Sequence, residues 1–246
     1  MLGPGYTWED LGKGLRIAVT PDHKFGTDAF LLSDFAAPRR KDTACDLCAG
    51  CGIVAALWFR REDTSPQRAY AVEIQPEAAA QLEASVRQGG LPEDRFVPVQ
   101  GDLRGIRGLL PQGRFDLVSC NPPYKPAGTG ILSREDPARA ARHETMCTLE
   151  DVCRAAQYLL RYRGRLCICQ RPERLADALG QMRAHRIEPK RLRFVQQRPE
   201  SPPWLFLLEG KLGAKPFLQV EAPLLIEGEG GFSKEVLRIY QKEKNK

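Results

Sequence analysis

The chain has 246 residues, 42% of them hydrophobic and 28% charged, with a formal charge of +6 and a sequence pI near 8.9. That is enough for one large, well-filled domain, and no Ser/Gly-rich or Pro-rich stretch divides it. No window approaches the roughly 18 consecutive apolar residues of a membrane helix, and Met1 to Gly5 carries no basic-then-apolar leader, so a soluble, cytoplasmic protein with no membrane partner is expected, monomeric by default.

From Thr43 onward short apolar runs alternate with helical stretches. Residues 43–48 read as a strand, 52–60 as a helix and 69–74 as a strand. Residues 76–88 read as a helix with Pro76 in its first turn, Gly89 at its end and Ala79, Leu82 and Val86 on one apolar face. Strands follow at 95–100 and 115–120. Thr148 with Asp151 forms a capping box before the apolar stripe Leu149, Val152, Cys153, Ala156, Leu159 and Leu160, and Gly164 is expected to close that helix. A strand at 165–170, a helix at 173–183 and strands at 191–196 and 204–209 complete the series. Such alternation with short connections predicts an α/β fold, a mostly parallel sheet with helices on both faces.

Eight cysteines without a secretory signal point to reduced thiols. Cys45, Cys48 and Cys51 have part of an iron–sulfur spacing, but the fourth ligand is missing downstream, and small apolar residues belong at these strand positions, so no metal is expected. His23, His143 and His185 show no ligand spacing. The positive charge is clustered at Arg39-Arg40-Lys41, Arg60-Arg61, Arg161 to Arg165 and Lys190 to Arg193, which favours a polyanionic partner, nucleic acid above a small anion.

Three acidic residues stand at the ends of predicted strands, where open α/β sheets bind ligands. Asp46 opens Asp46-Leu47-Cys48-Ala49-Gly50-Cys51-Gly52, in which Gly50 and Gly52 let backbone pass close to a ligand. Glu73 stands where it would accept from a ribose diol, and Asp102 where it could accept from an adenine amino group. Gly50 to Ala55 also fits the G-x-G-x-x-A of nicotinamide-binding proteins, and the fourth strand separates the two readings. It ends in Asn121-Pro122-Pro123-Tyr124. An amide followed by two residues without N–H, whose carbonyls are rigidly aimed, makes a clamp for a planar amine, and Tyr124 supplies a stacking face. A dehydrogenase has no need of such a clamp. Transfer of a methyl group from S-adenosylmethionine to an exocyclic amine or amide does.

With these motifs in place, the chain resembles the class I, Rossmann-like S-adenosylmethionine-dependent methyltransferases of the N-P-P-Y branch, and among them the bacterial tRNA adenine-N6 methyltransferases that act beside the anticodon of a valine tRNA. The matching segments are Phe25 to Leu32, Asp46 to Gly52, Glu73, Asp102, Asn121 to Tyr124 and Ala141 to Glu144. The resemblance implies a seven-stranded sheet with one antiparallel strand near its edge, residues 1–41 as an extension covering the cofactor, and 42–246 as the methyltransferase domain. It implies that Phe25, Thr27 and Asp28 pack over the methionine end of the cofactor, with Asp46, Cys48, Gly50, Gly52, Glu73, Ile74, Asp102, Leu103 and Asn121 completing the cofactor site. Asn121, Pro122, Pro123 and Tyr124 would be catalytic. Cys48 departs from the family, which usually has glycine there. Arg134, Arg139 and Arg142, in the polar stretch after the clamp, are expected on RNA phosphates beside the target. Alternative substrates for the same clamp are a release-factor glutamine, or the N6 of adenine or N2 of guanine in another nucleic acid.

Overall fold

The computed structural model describes residues 5–122 and 147–240. In chain order the elements are β1 (Thr7–Gly12), β2 (Leu15–Val19), α1 (Thr27–Ala36), β3 (Thr43–Leu47), α2 (Ile53–Trp58), β4 (Arg68–Glu73), α3 (Pro76–Gln88), β5 (Phe96–Gln100), β6 (Phe115–Cys120), α4 (Leu149–Leu159), β7 (Leu160–Gln170), α5 (Leu175–Ala184), β8 (Ile187–Gln196), β9 (Leu205–Leu212) and α6 (Lys234–Tyr240). A 3-10 turn, Leu103–Gly108, follows β5. The central sheet runs β8-β9-β7-β6-β3-β4-β5, with two-residue strands at Gln219–Val220 and Leu224–Leu225 added along β8. Neighbours pair in parallel except β9, which is antiparallel to both β7 and β8. The seven expected strands are therefore present with the expected antiparallel member, and the sheet is two short strands wider.

Each face of the sheet carries its own core. Ala44, Leu117 and Leu207 belong to a cluster with residues of α1, α2 and α3, while Cys45, Val118 and Ile168 belong to a second with residues of α4 and α5. Period-2 alternation along buried strands produces this division. It also separates the cysteine triplet, because Cys45 packs in the second cluster and Cys51 in the first. Among the described residues no group of three or more His, Cys, Asp or Glu could hold a metal ion, and no helix is long and apolar enough to cross a membrane.

Three features differ from the sequence reading. The region before residue 42 is part of the core: it forms the hairpin β1–β2 and helix α1, and Ile17, Leu31 and Leu32 are at most 1% exposed. The buried Gln81 side chain on α3 donates to the carbonyls of Ala18 (2.6 Å) and His23 (2.9 Å), which fixes the chain leading to Phe25. Second, the capping box at Thr148 and Asp151 forms, but α4 stops at Leu159 and the chain turns directly into β7. Gly164 lies inside that strand: a Cβ there would sit 2.9 Å from the carbonyl oxygens of both Phe115 and Arg161, so the glycine serves close backbone approach. Third, β8 begins at Ile187, with a bulge between Pro189 and Arg191 interrupting the alternation from which the strand was read.

Helix α1 is fastened at both ends. Glu209 on β9 is flanked by Arg165 (3.2 Å) and Arg191 (3.3 Å), which also donate to the carbonyls of Ala36 and Phe35 at the helix C-terminus (3.0 and 2.6 Å). On its outer side, Arg238 of α6 holds Asp34 through two hydrogen bonds of 2.8 and 2.9 Å. The Tyr240 ring stacks on Phe30 at 4.3 Å, and its hydroxyl donates to Thr27 at 2.9 Å. Arg60, one of the clustered cations read as favouring a polyanionic partner, is buried and donates to the Tyr240 carbonyl at 2.8 Å.

Candidate active site

The C-terminal ends of β3, β4 and β6 lie side by side, because Leu47 pairs with Val72 on one side and Cys120 on the other. The loop after β3 takes left-handed backbone at Cys48 (φ 55°), Gly50 (φ 55°) and Gly52 (φ 84°). At Gly52 an added Cβ would meet Leu82 at 2.9 Å, so glycine allows α2 to pack on α3. At Gly50 it would meet nothing within 4 Å. The loop thus presents bare backbone to open space, as a cofactor cradle requires. Cys48 occupies its left-handed position with a side chain, and its sulfur lies 3.3 Å from that of Cys147. A hydrogen bond to Cys120, followed by burial, pushes the Cys48 thiol well up from its ordinary pKa.

Glu73 is buried at the end of β4 and accepts from Gly50 N–H (2.8 Å) and Gln75 N–H (2.9 Å). The two interactions leave further lone pairs on each oxygen for a diol. Asp46 is 1% exposed and accepts from the Ser119 hydroxyl at 2.6 Å. Burial pushes its carboxyl up to about 7 against the Ser119 hydrogen bond, with the Glu73 charge adding to the rise.

Asn121 follows β6 and is held from both ends of its amide. Its Nδ2 donates to Asp28 Oδ2 at 2.9 Å, and the Cys169 thiol of β7 donates to its Oδ1 at 3.1 Å. An ionised carboxylate only accepts, so Asp28 fixes which way the amide points. The other oxygen of Asp28 accepts from Ala29 N–H at 3.0 Å. Thus Asp28, expected above the cofactor, is also joined to the predicted clamp.

The structure brings together Asp28 with Asn121, Gly50 with Glu73, and Asp46 with the strand carrying Asn121. Ile74 is half-buried beside Glu73, and Pro122 is buried. Other predicted residues have further commitments. Asp102 accepts from Arg104 N–H at 2.8 Å and pairs with its guanidinium at 2.6 Å, which holds the carboxyl below its usual range. Leu103 is buried with Ile106 and Leu110 in the second core. Phe25 packs 5.9 Å from Phe30, and Thr27 accepts from Tyr240. Pro123, Tyr124, Arg134, Arg139, Arg142 and His143 lie outside the described residues.

Sequence reasoning missed Ser119 and Cys169, which support Asp46 and Asn121. Both follow from register: Asp46 pairs with Ser119 across β3 and β6, and Cys120 with Ile168 across β6 and β7, so position 121 comes beside 169. Aligning β6 with β3 and with β7 by their apolar runs was the available signal.

No family model matches the chain. It is 31% identical over 194 residues to the tRNA1(Val) (adenine(37)-N6)-methyltransferase of Porphyromonas gingivalis, covering 76% of this chain and 73% of that one. The enzyme of the same name from Escherichia coli O1:K1 is 28% identical over 159 residues, 65% of this chain and 62% of that one. Among solved structures, one described as a predicted O-methyltransferase from Agrobacterium tumefaciens superposes with a TM-score of 0.68 at 22% identity, over 87% of this chain and 95% of that one. TYW2 of M. jannaschii in complex with AdoMet gives 0.55 at 13%, over 86% and 88%. The fold is thus that of the Rossmann-like methyltransferases, and the chain belongs to the tRNA1(Val) (adenine(37)-N6)-methyltransferase family.

Proposed function

We propose that this chain transfers a methyl group from S-adenosylmethionine to the exocyclic N6 of an adenine in tRNA, at position 37 beside the anticodon. The observation that carries the site assignment is the Asn121 amide, oriented by Asp28 and Cys169 at the end of β6, two strands from Glu73 and one from the Gly50 loop. The relatives' activity supports the same substrate.

Bound S-adenosylmethionine supplies an electrophilic sulfonium methyl. Gly50 would admit its backbone-facing side, Glu73 would accept from the ribose hydroxyls, and Asp102, Ile74 and Leu103 would border the adenine. Asp46 would support the loop from below, and Phe25, Thr27 and Asp28 would close over the methionine end. Adenine N6 is a weak nucleophile because its lone pair is delocalised into the ring. Asn121 Oδ1 keeps one acceptor position beyond the Cys169 bond, and the Pro122 carbonyl supplies a second. Accepting both N–H bonds there favours a pyramidal nitrogen and frees its lone pair. The contribution is positional and electrostatic, so no strong general base is required. Pro123 and Tyr124 would complete the clamp, with Tyr124 stacking on the base for about 1–3 kcal/mol. Arg134, Arg139 and Arg142 would contact phosphates flanking it.

Incubation with labelled cofactor and separate pools of tRNA, rRNA, DNA and release factor, followed by digestion, tests the assignment. N6-methyladenosine from the tRNA pool is the expected product, and N5-methylglutamine from release factor would overturn it. Asn121→Ala should lower kcat about 100- to 1000-fold while leaving cofactor affinity within a few-fold.

A further inference from the structure

A groove of about 370 Å³ lies on the α4 side of the sheet. It is lined by Arg104 and Arg107 of the 3-10 turn, Arg154 and Tyr158 of α4, Tyr162 of β7 and Arg186 before β8, with no carboxylate among its lining residues. Asp102 pairs with Arg104, and Glu150 and Asp151 pair with Arg154. Arg107 and Arg186 have no ion-pair partner among the described residues; Arg107 lies 5.2 Å from the centre of the Tyr158 ring instead. Tyr162 is 70% exposed, an unusual position for a large ring, and its edge rests on Gly213, where an added Cβ would lie 2.6 Å from it.

We infer that this groove is a track for the phosphate backbone of the tRNA, away from the methylated base; the inference rests on the proposed tRNA substrate. Two observations favour RNA over an acidic protein. The groove starts at Arg104, beside Asp102 at the cofactor end of β5, and reaches Tyr162 at the far end of β7. Leu160 pairs with Phe115 and Arg165 with Leu117, so Tyr162 stands about five ladder positions before Cys169, the partner of Asn121, roughly 16 Å along the strand. A hairpin presenting a loop base at Asn121 carries its stem over such a distance. Unpaired arginines beside an exposed ring also suit a ligand with phosphates and flat bases, since arginine meets phosphate bidentately and aromatics stack on bases. The groove on the other side of β7 differs: there Asp116 pairs with Arg161, Asp42 and Glu209 pair with Arg165, and Glu209 also pairs with Lys211. Asp42 and Asp116 line that groove beside its cations, whereas no carboxylate lines the groove of Arg107 and Arg186.

Arg107→Gln/Arg186→Gln and, separately, Tyr162→Ala test the inference on an unmodified valine tRNA transcript. With the double variant KM should rise about 5- to 20-fold, kcat should stay within twofold, and the slope of log affinity against log salt should fall by about 1–2. Tyr162→Ala should raise KM with little change in slope. Cofactor affinity and the thermal midpoint of each variant should match wild type, showing that the fold persists. If wild-type protein methylates the transcript and the variants share its KM and salt slope, the track is refuted while the methyltransferase assignment stands. If wild-type protein methylates release factor and no tRNA, the assignment itself fails and takes the track with it.

Discussion

The amide of Asn121 can act as the proposed clamp only while its orientation holds. Asp28→Ala removes the acceptor of its NH2, and a hydrogen bond to a charged group contributes about 1.5–3 kcal/mol. Single-turnover kinetics should therefore show methyl transfer slowed about 10- to 100-fold, with Asp28→Asn recovering much of it because an amide oxygen can take the same bond. Equal loss in both variants would assign the effect to charge rather than to orientation. Cys48 gives the opposite kind of test. Its left-handed backbone is the physical reason for glycine at that position, and a side chain there costs about 1–2 kcal/mol. Cys48→Gly relieves this strain and loses the contact with Cys147, so urea unfolding should show equal or greater stability, with cofactor affinity retained. Asp46 sets a pH dependence. Its carboxyl titrates at about 7 when folded and near 4 when unfolded, so between those values the folded chain holds the extra proton. The stability contribution of neutral Asp46 is present below pH 4 and is lost as pH rises to 7, an effect on the order of 4 kcal/mol at about 1.4 kcal/mol per pH unit. The difference in unfolding free energy between wild type and Asp46→Asn should shift against wild type over that interval and level off above it.

At the scale of elements, α1 connects the distant parts of the molecule to the site. Its first turn carries Asp28, its C-terminal carbonyls are held by Arg165 and Arg191, and its outer face meets α6. Glu209 keeps Arg191 and Lys211 when Arg165 is removed, so Arg165→Ala loses its charged hydrogen bonds without stranding the carboxylate and should cost about 1.5–3 kcal/mol in chemical denaturation. Much of this level was legible in the sequence. Alternating apolar runs gave the strands from β3 to β6, Pro76 and Gly89 bounded α3, and the Thr148–Asp151 box opened α4 in the place read for it. The less legible parts depended on contacts distant in sequence. Gly164 looks like a helix stop until the Phe115 carbonyl is beside it, and Arg165 and Arg191 look like surface charge until Glu209 lies between them. The site divides in the same way: Asp46, Glu73 and Asn121 were marked by motif, whereas Ser119 and Cys169 needed the register of β6 against its neighbours.

Across the whole molecule, the strand order departs from the chain order where β6 returns beside β3 and again at β9. β9 lies between β7 and β8 although both precede it. During synthesis β7 therefore emerges with one edge open, and along that edge Leu166, Cys167, Ile168 and Cys169 are side chains that end wholly buried. An open apolar edge recruits strands from other chains. A chain arrested at residue 200 should scatter light and bind a chaperone, where the full chain stays dispersed. Because Cys169 holds Asn121, the same insertion that seals this edge also steadies the proposed clamp: the ribosome must deliver β9 before the protein is either safe from its neighbours or, on that proposal, competent for its reaction.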